Sequence, residues 1–261
     1  MDLPAVAKQL GKVDLMLASP ECTNHGPAKG NRPRCDNSKN TAFQVIRFAR
    51  GLKPRWIVIE NVSSMRRWDR YEELIANLTD IGYHIHPQIL NSAQFGVPQR
   101  RRRLFLLCDL KKHPAPVKLP ESTGKTAADV VDLNGAFSYS PLRTDRRARA
   151  TIERADRAIG ELGEKVPFLL VYYGSDHAGG WQPLNAPLRT ITTLDRFAVV
   201  KPGPAGHVMR MLQVPELKAA MGMPEKFHFR RGSRRERVKL IGNAVCPPVM
   251  KHAIHTLTVS S

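Results

Sequence analysis

The amino-acid sequence lacks long apolar runs and has few cysteines, and both absences limit what the protein can be. No stretch approaches the roughly 18–20 apolar residues that a membrane-spanning helix needs, and the opening segment lacks the apolar core of a signal peptide. Four cysteines at irregular spacing among 261 residues make no disulfide framework, so we expect a reducing, cytoplasmic compartment. Because 42% of the residues are hydrophobic and 25% are charged, the composition also argues against a disordered or fibrous chain.

Acidic residues are scarce relative to basic ones. The 23 Asp and Glu residues stand against 41 Lys and Arg, which gives a formal net charge of +18. Such an excess of cations favours a polyanionic partner, and mere solubility is the alternative explanation. Binding to a nucleic acid is therefore the first functional hypothesis.

The first part of the chain, to about residue 110, alternates short apolar runs with amphipathic segments. The runs Val13–Ala18, Trp56–Glu60 and Leu104–Cys108 predict buried strands. Apolar residues recur at helical spacing from Thr41 to Arg50 and from Tyr71 to Ile81, which predicts two helices. Alternating strands and helices favour an α/β fold with a doubly wound sheet.

The composition changes after Lys112, and this change predicts the domain organisation. Residues 113–186 have fewer long apolar runs and several prolines, which indicates a smaller module, and a short strand, a loop and two helices follow it. The sequence therefore predicts a catalytic α/β segment at 1–112, a second region at 113–199, and a segment at 200–261 that returns to the first.

Two predicted strands end in residues that carry chemistry. Cys22 follows the first strand and Glu60 ends the second, and ligands bind at the carboxyl ends of strands in such sheets. Cys22 taken alone is more often a small buried apolar residue than a nucleophile. Glu60 taken alone is explained equally well by a structural ion pair. The two strand ends nevertheless predict a thiol and a carboxylate that face one pocket.

A run of four arginines precedes the third strand. In an extended segment alternate residues share a face, so Arg101 and Arg103 are predicted to point one way and Arg100 and Arg102 the other. A guanidinium near Cys22 favours the thiolate and anchors an anion. The run therefore predicts one pair at the pocket and one pair at solvent or phosphate.

Together these motifs resemble the DNA cytosine-5 methyltransferases. The resemblance spans residues 13 to 258 and rests on the order and spacing of five pieces rather than on any one of them. The pieces, in chain order, are Pro20-x-Cys22, Glu60-Asn61-Val62, Gln99-x-Arg101-x-Arg103, Pro187-Leu188-Arg189-Thr190-Ile191-Thr192 and Gly242-Asn243-Ala244-Val245-x-Pro247-Pro248.

The resemblance implies a covalent methyl transfer from S-adenosylmethionine to a flipped cytosine. Cys22 would be the nucleophile that adds to C6, and Glu60 the acid at N3. Asn61 would orient that carboxyl or the substrate, while Arg101 and Arg103 would bind the base oxygen, a phosphate or Glu60 itself. The implied fold is a Rossmann-like methyltransferase sheet whose N-terminal part is missing, with a small inserted target-recognition domain, in a prokaryotic or viral enzyme.

The resemblance also predicts an incomplete cofactor site. No Gly-rich strand–turn–helix precedes Cys22, so the expected contacts with S-adenosylmethionine reduce to Pro20, Glu21, Asn243 and Ala244. Glu21 also stands where most members have proline, and a carboxylate beside a thiol disfavours the thiolate. A separate polypeptide that supplies the cofactor-binding half is therefore a predicted partner.

Double-stranded DNA is the other predicted partner, and no metal site is predicted. Cys22, His25 and Cys35 do not have the spacing of a common zinc site. Two alternatives remain open, a catalytically silent or split-subunit DNA-binding protein and the same chemistry on RNA. The residues predicted to contact DNA are Gln99, Arg100, Arg189, Arg230, Arg231, Arg234 and Arg235.

Overall fold

The structure, a computed structural model, describes residues 8–21, 41–121, 124–173 and 180–259. These residues form two compact units. The first unit lies within Met1–Asn91, Arg102–Pro120 and Val249–Ser261, and the second within Ser92–Arg101 and Glu121–Pro248. The division into a catalytic segment at 1–112, a second region at 113–199 and a returning segment at 200–261 stays a prediction. Across the described ranges, no helix has the length and apolar character needed to cross a bilayer.

The strands and α-helices whose bounds the structure gives follow here in chain order. The strands are β1 (Leu15–Ala18), β2 (Trp56–Val62), β3 (His84–Asn91), β4 (Arg102–Asp109), β5 (Ser140–Pro141), β6 (Phe168–Val171), β7 (Trp181–Pro183), β8 (Phe197–Gly203) and β9 (Gly206–Met211). The α-helices are α1 (Thr41–Leu52), α2 (Tyr71–Asp80), α3 (Arg149–Leu162), α4 (Val214–Ala220), α5 (Arg234–Asn243) and α6 (Pro247–Val259).

The first unit contains a mixed sheet with the strand order β1-β2-β4-β3. β1 runs parallel to β2, as the β1–α1–β2 crossover requires, and β4 runs antiparallel to both β2 and β3. β1 forms an edge of this sheet, so it is less buried than its apolar sequence predicts, and Leu17 is 49% exposed.

The helices of the first unit cover the sheet with the faces that their apolar spacing predicts. The buried face of α1 consists of Ala42, Val45, Ile46 and Ala49, and it belongs to one core cluster with Ile57 of β2. α2 ends just before Gly82, whose φ of +107° is a conformation that suits glycine. The predicted α/β architecture is thus confirmed for this unit.

β2 is two residues longer than the predicted strand. Asn61 and Val62 continue the antiparallel ladder, opposite Leu104 and Arg103 of β4. Glu60 therefore lies within a paired strand rather than at its last residue. This pairing fixes the backbone of the residues that carry the predicted chemistry.

The second unit contains an antiparallel sheet with the order β5-β9-β8-β6-β7. Ala155 and Ala158 on one face of α3 share a core cluster with Phe168 and Leu170 of β6. A buried ion pair holds the end of this sheet, because Arg210 of β9 donates from Nη1 and Nη2 to the carboxylate of Glu216 at 2.7 Å each.

Candidate active site

Glu60 lies near the carboxyl end of β2, with its carboxylate held from β1. The residue is 6% exposed. Ser19 and Glu60 directly follow the paired residues Ala18 and Ile59 of the parallel strands. Ser19 Oγ donates to Glu60 Oε2 at 2.6 Å. One oxygen of the carboxylate is thereby fixed, and the strand register explains why these two residues meet.

The second oxygen of Glu60 faces an arginine. Arg103 lies next to β2 because it pairs with Val62 in the β2–β4 ladder, and its Nε is 3.3 Å from Glu60 Oε1. Both side chains are largely buried, at 16% and 7% exposure. Glu60 Oε1 is itself buried and makes no hydrogen bond with the described residues. Arg103 is therefore the arginine of its motif that faces the carboxylate.

Asn61 fixes the backbone that leads toward Cys22. Its Nδ2 donates to the carbonyl oxygen of Pro20 at 3.1 Å, while its Oδ1 accepts from the backbone N–H of Val62 at 2.8 Å. Glu21 is exposed, and its backbone N–H donates to Thr41 Oγ1 at 3.1 Å. The two hydrogen bonds to residues 20 and 21 position the segment just before the predicted nucleophile.

Cys22 itself lies outside the described residues, as does the polar loop at 23–40. Its role as nucleophile stays a prediction. The two cysteines that the structure describes, Cys108 and Cys246, are both buried. Burial raises the pKa of the Cys108 thiol far above its ordinary value, which makes this side chain a structural one.

Arg101 belongs to the second unit and has different partners from Arg103. The side chain is buried, and its guanidinium donates to three carbonyl oxygens, those of Ile191 at 3.1 Å, Gly242 at 2.9 Å and Ala244 at 3.0 Å. Arg101 thus ties the segment at Ile191 to the predicted Gly-Asn-Ala-Val motif. Its position supports a structural role.

Gln99 is also buried, at 0% exposure, and links backbone segments. Its Nε2 donates to the carbonyl oxygen of Ala220 at 3.2 Å, and its Oε1 accepts from the N–H of Ile191 at 2.9 Å. The contact with DNA predicted for this side chain stays a prediction. The exposed Arg100 follows it, and Arg189 donates from Nη2 to the carbonyl oxygen of Trp181 at 3.1 Å.

The basic cluster before and within α5 divides into exposed and engaged arginines. Arg230, Arg231 and Arg235 are exposed. Arg234 is instead half-buried, since it forms a 2.8 Å ion pair with Asp195 and also donates to Gln213 Oε1 at 2.9 Å. The three exposed arginines are the members of the cluster whose positive charge a binding partner can reach from solvent.

The predicted cofactor contacts Asn243 and Ala244 lie at the end of α5. Asn243 is exposed and Ala244 is half-buried. Gly242 packs its α-carbon against the backbone carbonyl of Thr192, where a β-carbon would clash. Only glycine permits this approach, and the close packing holds the neighbouring Asn243 in place.

Ser19 is a hydrogen-bond partner of Glu60 that the motif analysis misses. A serine between an apolar strand and a proline is typical of a turn, so its type gives no signal. The available signal is the register, because a parallel β1–β2 pair places residue 19 beside residue 60. No cluster of His, Cys, Asp or Glu able to hold a metal ion occurs among the residues that the structure describes.

Comparisons with known proteins identify a family. The family described as C-5 cytosine-specific DNA methylase matches residues 3–258. The chain is 26% identical over 283 residues to the Type II methyltransferase M.SacI of Streptomyces achromogenes, covering 95% of this chain and 72% of that enzyme. It is 27% identical over 258 residues to M1.HphI of Haemophilus parahaemolyticus, covering 93% of this chain and 67% of that enzyme.

Solved structures show the same fold. The Entamoeba histolytica methyltransferase EhMeth superposes with a TM-score of 0.68 at 16% identity, over 100% of this chain and 81% of that one. The S. pombe Dnmt2 methyltransferase superposes with a TM-score of 0.64 at 16% identity, over 100% of this chain and 83% of that one. The predicted Rossmann-like methyltransferase fold is thus confirmed.

Proposed function

The chain belongs to the C-5 cytosine-specific DNA methylase family, and we propose that it methylates C5 of a flipped cytosine in double-stranded DNA. The observation that carries the proposal is the buried carboxylate of Glu60, whose Oε1 faces Arg103 and makes no hydrogen bond with the described residues. A buried carboxyl oxygen needs a partner. The N3 of a cytosine is such a partner when the carboxyl is protonated, because N3 accepts the proton.

The proposed chemistry divides a difficult step in two. C5 of cytosine is a poor nucleophile, and addition of the Cys22 thiolate to C6 turns the ring into an enamine that is nucleophilic at C5. Glu60 delivers a proton to N3 as this charge develops, and Arg103 holds Glu60 or the base oxygen. S-adenosylmethionine, the methyl donor of the family, supplies an electrophilic methyl group when bound.

Asn61 has a supporting role in this proposal. Its hydrogen bond to the Pro20 carbonyl fixes the chain two residues before Cys22, so the direction from which the thiolate approaches C6 depends on it. The base must leave the helical stack to reach these groups, and the unpairing costs a few kcal/mol. Contacts with the DNA backbone have to offset that cost.

The exposed arginines supply those contacts. We assign phosphate binding to Arg100, Arg230, Arg231 and Arg235, which are exposed, and to Arg189 beside Trp181. Gln99 and Arg234 bind other parts of this chain. We assign them a structural role rather than a contact with DNA.

The chain's own residues fit only part of the cofactor. Asn243 is an exposed amide at the end of α5 and is suited to hydrogen-bond a polar ligand. The outer edge of β1 pairs with no strand among the described residues, and Leu17 is 49% exposed there. An unpaired apolar edge of this kind accepts a further strand. We propose that a separate polypeptide adds strands at this edge and completes the cofactor site.

Titration calorimetry tests the cofactor proposal. The 261-residue chain alone should give no binding of S-adenosylmethionine at micromolar concentrations. Micromolar binding by the isolated chain would contradict the proposal, because the site would then be complete without a partner.

Hydrogen exchange at C5 tests the chemistry without the methyl donor. When Cys22 adds to C6, C5 takes a proton from water, and loss of the original C5 hydrogen with expulsion of the thiolate restores cytosine. Duplex DNA that carries [5-³H]cytosine should therefore release tritium with the wild-type chain. Cys22→Ser should abolish the release, since a hydroxyl is far less ionised at neutral pH than a thiol, and Glu60→Gln should slow it sharply.

Matched controls separate the alternatives. Cys35→Ser and Cys246→Ser should retain release, and RNA of the same sequence should give less than the duplex DNA. DNA binding with no release by the wild type would favour the silent DNA-binding protein. Faster release from RNA would favour the same chemistry on RNA.

A further inference from the structure

Ser19 holds one oxygen of the Glu60 carboxyl, Oε2, while the other, Oε1, faces Arg103 and makes no hydrogen bond with the described residues. We propose that Ser19 is a positioning residue of the methylation reaction, which sets the orientation of the Glu60 carboxyl so that Oε1 faces N3 of the flipped cytosine. The inference rests on the function proposed for Glu60. It adds a residue that acts through Glu60 rather than on the substrate.

The carboxyl of a glutamate does not orient itself. Its terminal torsion is broad and roughly two-fold, so the two oxygens exchange places unless a neighbour distinguishes them. Ser19 makes that distinction, because its Oγ is 2.6 Å from Oε2 and accordingly donates to that oxygen. Oε1 lies on the side of Arg103, at 3.3 Å from Nε.

Arg103 alone does not give the same result. A glutamate oxygen and an arginine Nε at 3.3 Å form an ion pair, yet Oε1 makes no hydrogen bond with the described residues. Charge attraction at this distance restrains the carboxyl less sharply than a short, directed hydrogen bond does. The orientation therefore depends on the hydroxyl of Ser19.

The position of Ser19 is itself well determined by the fold. β1 pairs with β2 up to Ala18 and Ile59, and Asn61 then binds the carbonyl of Pro20 at 3.1 Å. Ser19 is thus fixed on both sides by contacts with β2. Its hydroxyl meets the carboxylate of Glu60 without needing a rearrangement of the backbone.

Substitution of Ser19 tests the proposal through tritium release from [5-³H]cytosine duplex DNA. Ser19→Ala should lower the rate about tenfold, the effect of one hydrogen bond to a charged group. Ser19→Thr keeps the hydroxyl at an exposed position and should restore most of the rate. Ser138→Ala makes the same change at an exposed serine of the second unit and should leave the rate unchanged.

The split between kcat and KM separates positioning from a merely structural role. A hydroxyl that orients the Glu60 carboxyl acts on the chemical step, so Ser19→Ala should lower kcat for tritium release and leave KM for the duplex DNA close to the wild-type value. Ser19→Thr should restore kcat. A general distortion of the site would instead raise KM as well, and Ser19→Thr would not restore kcat.

The outcomes distinguish this inference from the proposed function. If the wild type releases tritium and Ser19→Ala matches it in kcat and KM, the role of Ser19 is wrong while the proposed function stands. If Ser19→Ala and Ser19→Thr are slowed equally, the hydroxyl is not what matters, and the inference is again overturned. If the wild type releases no tritium from any duplex, the proposed function fails and takes this inference with it.

Discussion

Arg101 donates a hydrogen bond from Nη2 to the carbonyl oxygen of Gly242, 2.9 Å away, and thereby binds the start of the Gly-Asn-Ala-Val motif. Arg103, two residues later, instead faces the carboxylate of Glu60. Their common motif therefore contains two different functions. Arg101 organises backbone, and Arg103 belongs to the proposed catalytic group.

Arg101→Ala should strongly destabilise the second unit. The substitution leaves the buried carbonyl oxygens of Ile191, Gly242 and Ala244 without this donor, at a cost of about 2–4 kcal/mol in the free energy of unfolding. Urea unfolding measures the change. Arg102→Ala removes an exposed arginine next to it and should cost less than about 0.5 kcal/mol. Equal effects of the two substitutions would contradict the structural role of Arg101.

Arg103→Ala should act mainly on the chemistry. Without the guanidinium, Glu60 loses the cation near Oε1, and we expect tritium release from [5-³H]cytosine duplex DNA to fall at least about tenfold. The free energy of unfolding should change less than it does in Arg101→Ala, because Arg103 has one carboxylate partner and retains some exposure. A stable variant with wild-type release would exclude Arg103 from the site.

The sequence predicts the backbone of the first unit better than it predicts the partners of its polar side chains. Apolar spacing locates the buried face of α1, since burial of Ala42, Val45, Ile46 and Ala49 is a property of the helix itself. Position at a strand end likewise singles out Glu60. Both inferences depend on local periodicity, which a single sequence contains.

Arg101 and Arg103 have different roles because the strand pairing of β4 begins between them. Two arginines with one residue between them share a face only while the chain is extended in a ladder, and β4 begins at Arg102. Arg101 precedes it and binds carbonyls from residues about 90 and 140 positions further along the chain. Such contacts are set by tertiary structure, so the motif alone leaves the two roles open.

The exposed arginines near α5 should determine how DNA affinity depends on salt. Combined substitution of Arg230, Arg231 and Arg235 by alanine should flatten the log–log plot of affinity against salt, by about 0.9 for each phosphate that the variant no longer neutralises. Arg234→Ala is the matched control. It should leave the slope unchanged and cost about 1–2 kcal/mol of stability, because Arg234 binds Asp195 within the chain. Fluorescence anisotropy at several salt concentrations measures both slopes, and an unchanged slope in the triple variant would place the DNA elsewhere.

Stability at alkaline pH should depend on Tyr83. Burial raises the pKa of the Tyr83 phenol well above its ordinary value, and its hydroxyl donates to the carbonyl of Pro54. The unfolded chain loses this proton above pH ~10 while the native chain keeps it, so the free energy of unfolding falls as pH rises through that value. Tyr83→Phe removes the group, and its stability should fall less steeply, by up to about 1.4 kcal/mol per pH unit. Urea unfolding from pH 8 to 11 measures this. Parallel curves for the two proteins would show that Tyr83 ionises in the native state.

Asn61→Asp should impair the chemistry at nearly unchanged side-chain volume. The amide of Asn61 donates to the Pro20 carbonyl, and a carboxylate in its place brings two acceptors together. The backbone before Cys22 then loses its anchor to β2, and we expect tritium release to fall at least about tenfold because the thiolate no longer meets C6 in one geometry. Asn77→Asp on α2 is the matched control, since it also removes an amide that donates to a backbone carbonyl, that of Glu73 at 2.9 Å. It should retain the wild-type rate, whereas wild-type release by Asn61→Asp would show that the hydrogen bond to Pro20 does not position the nucleophile.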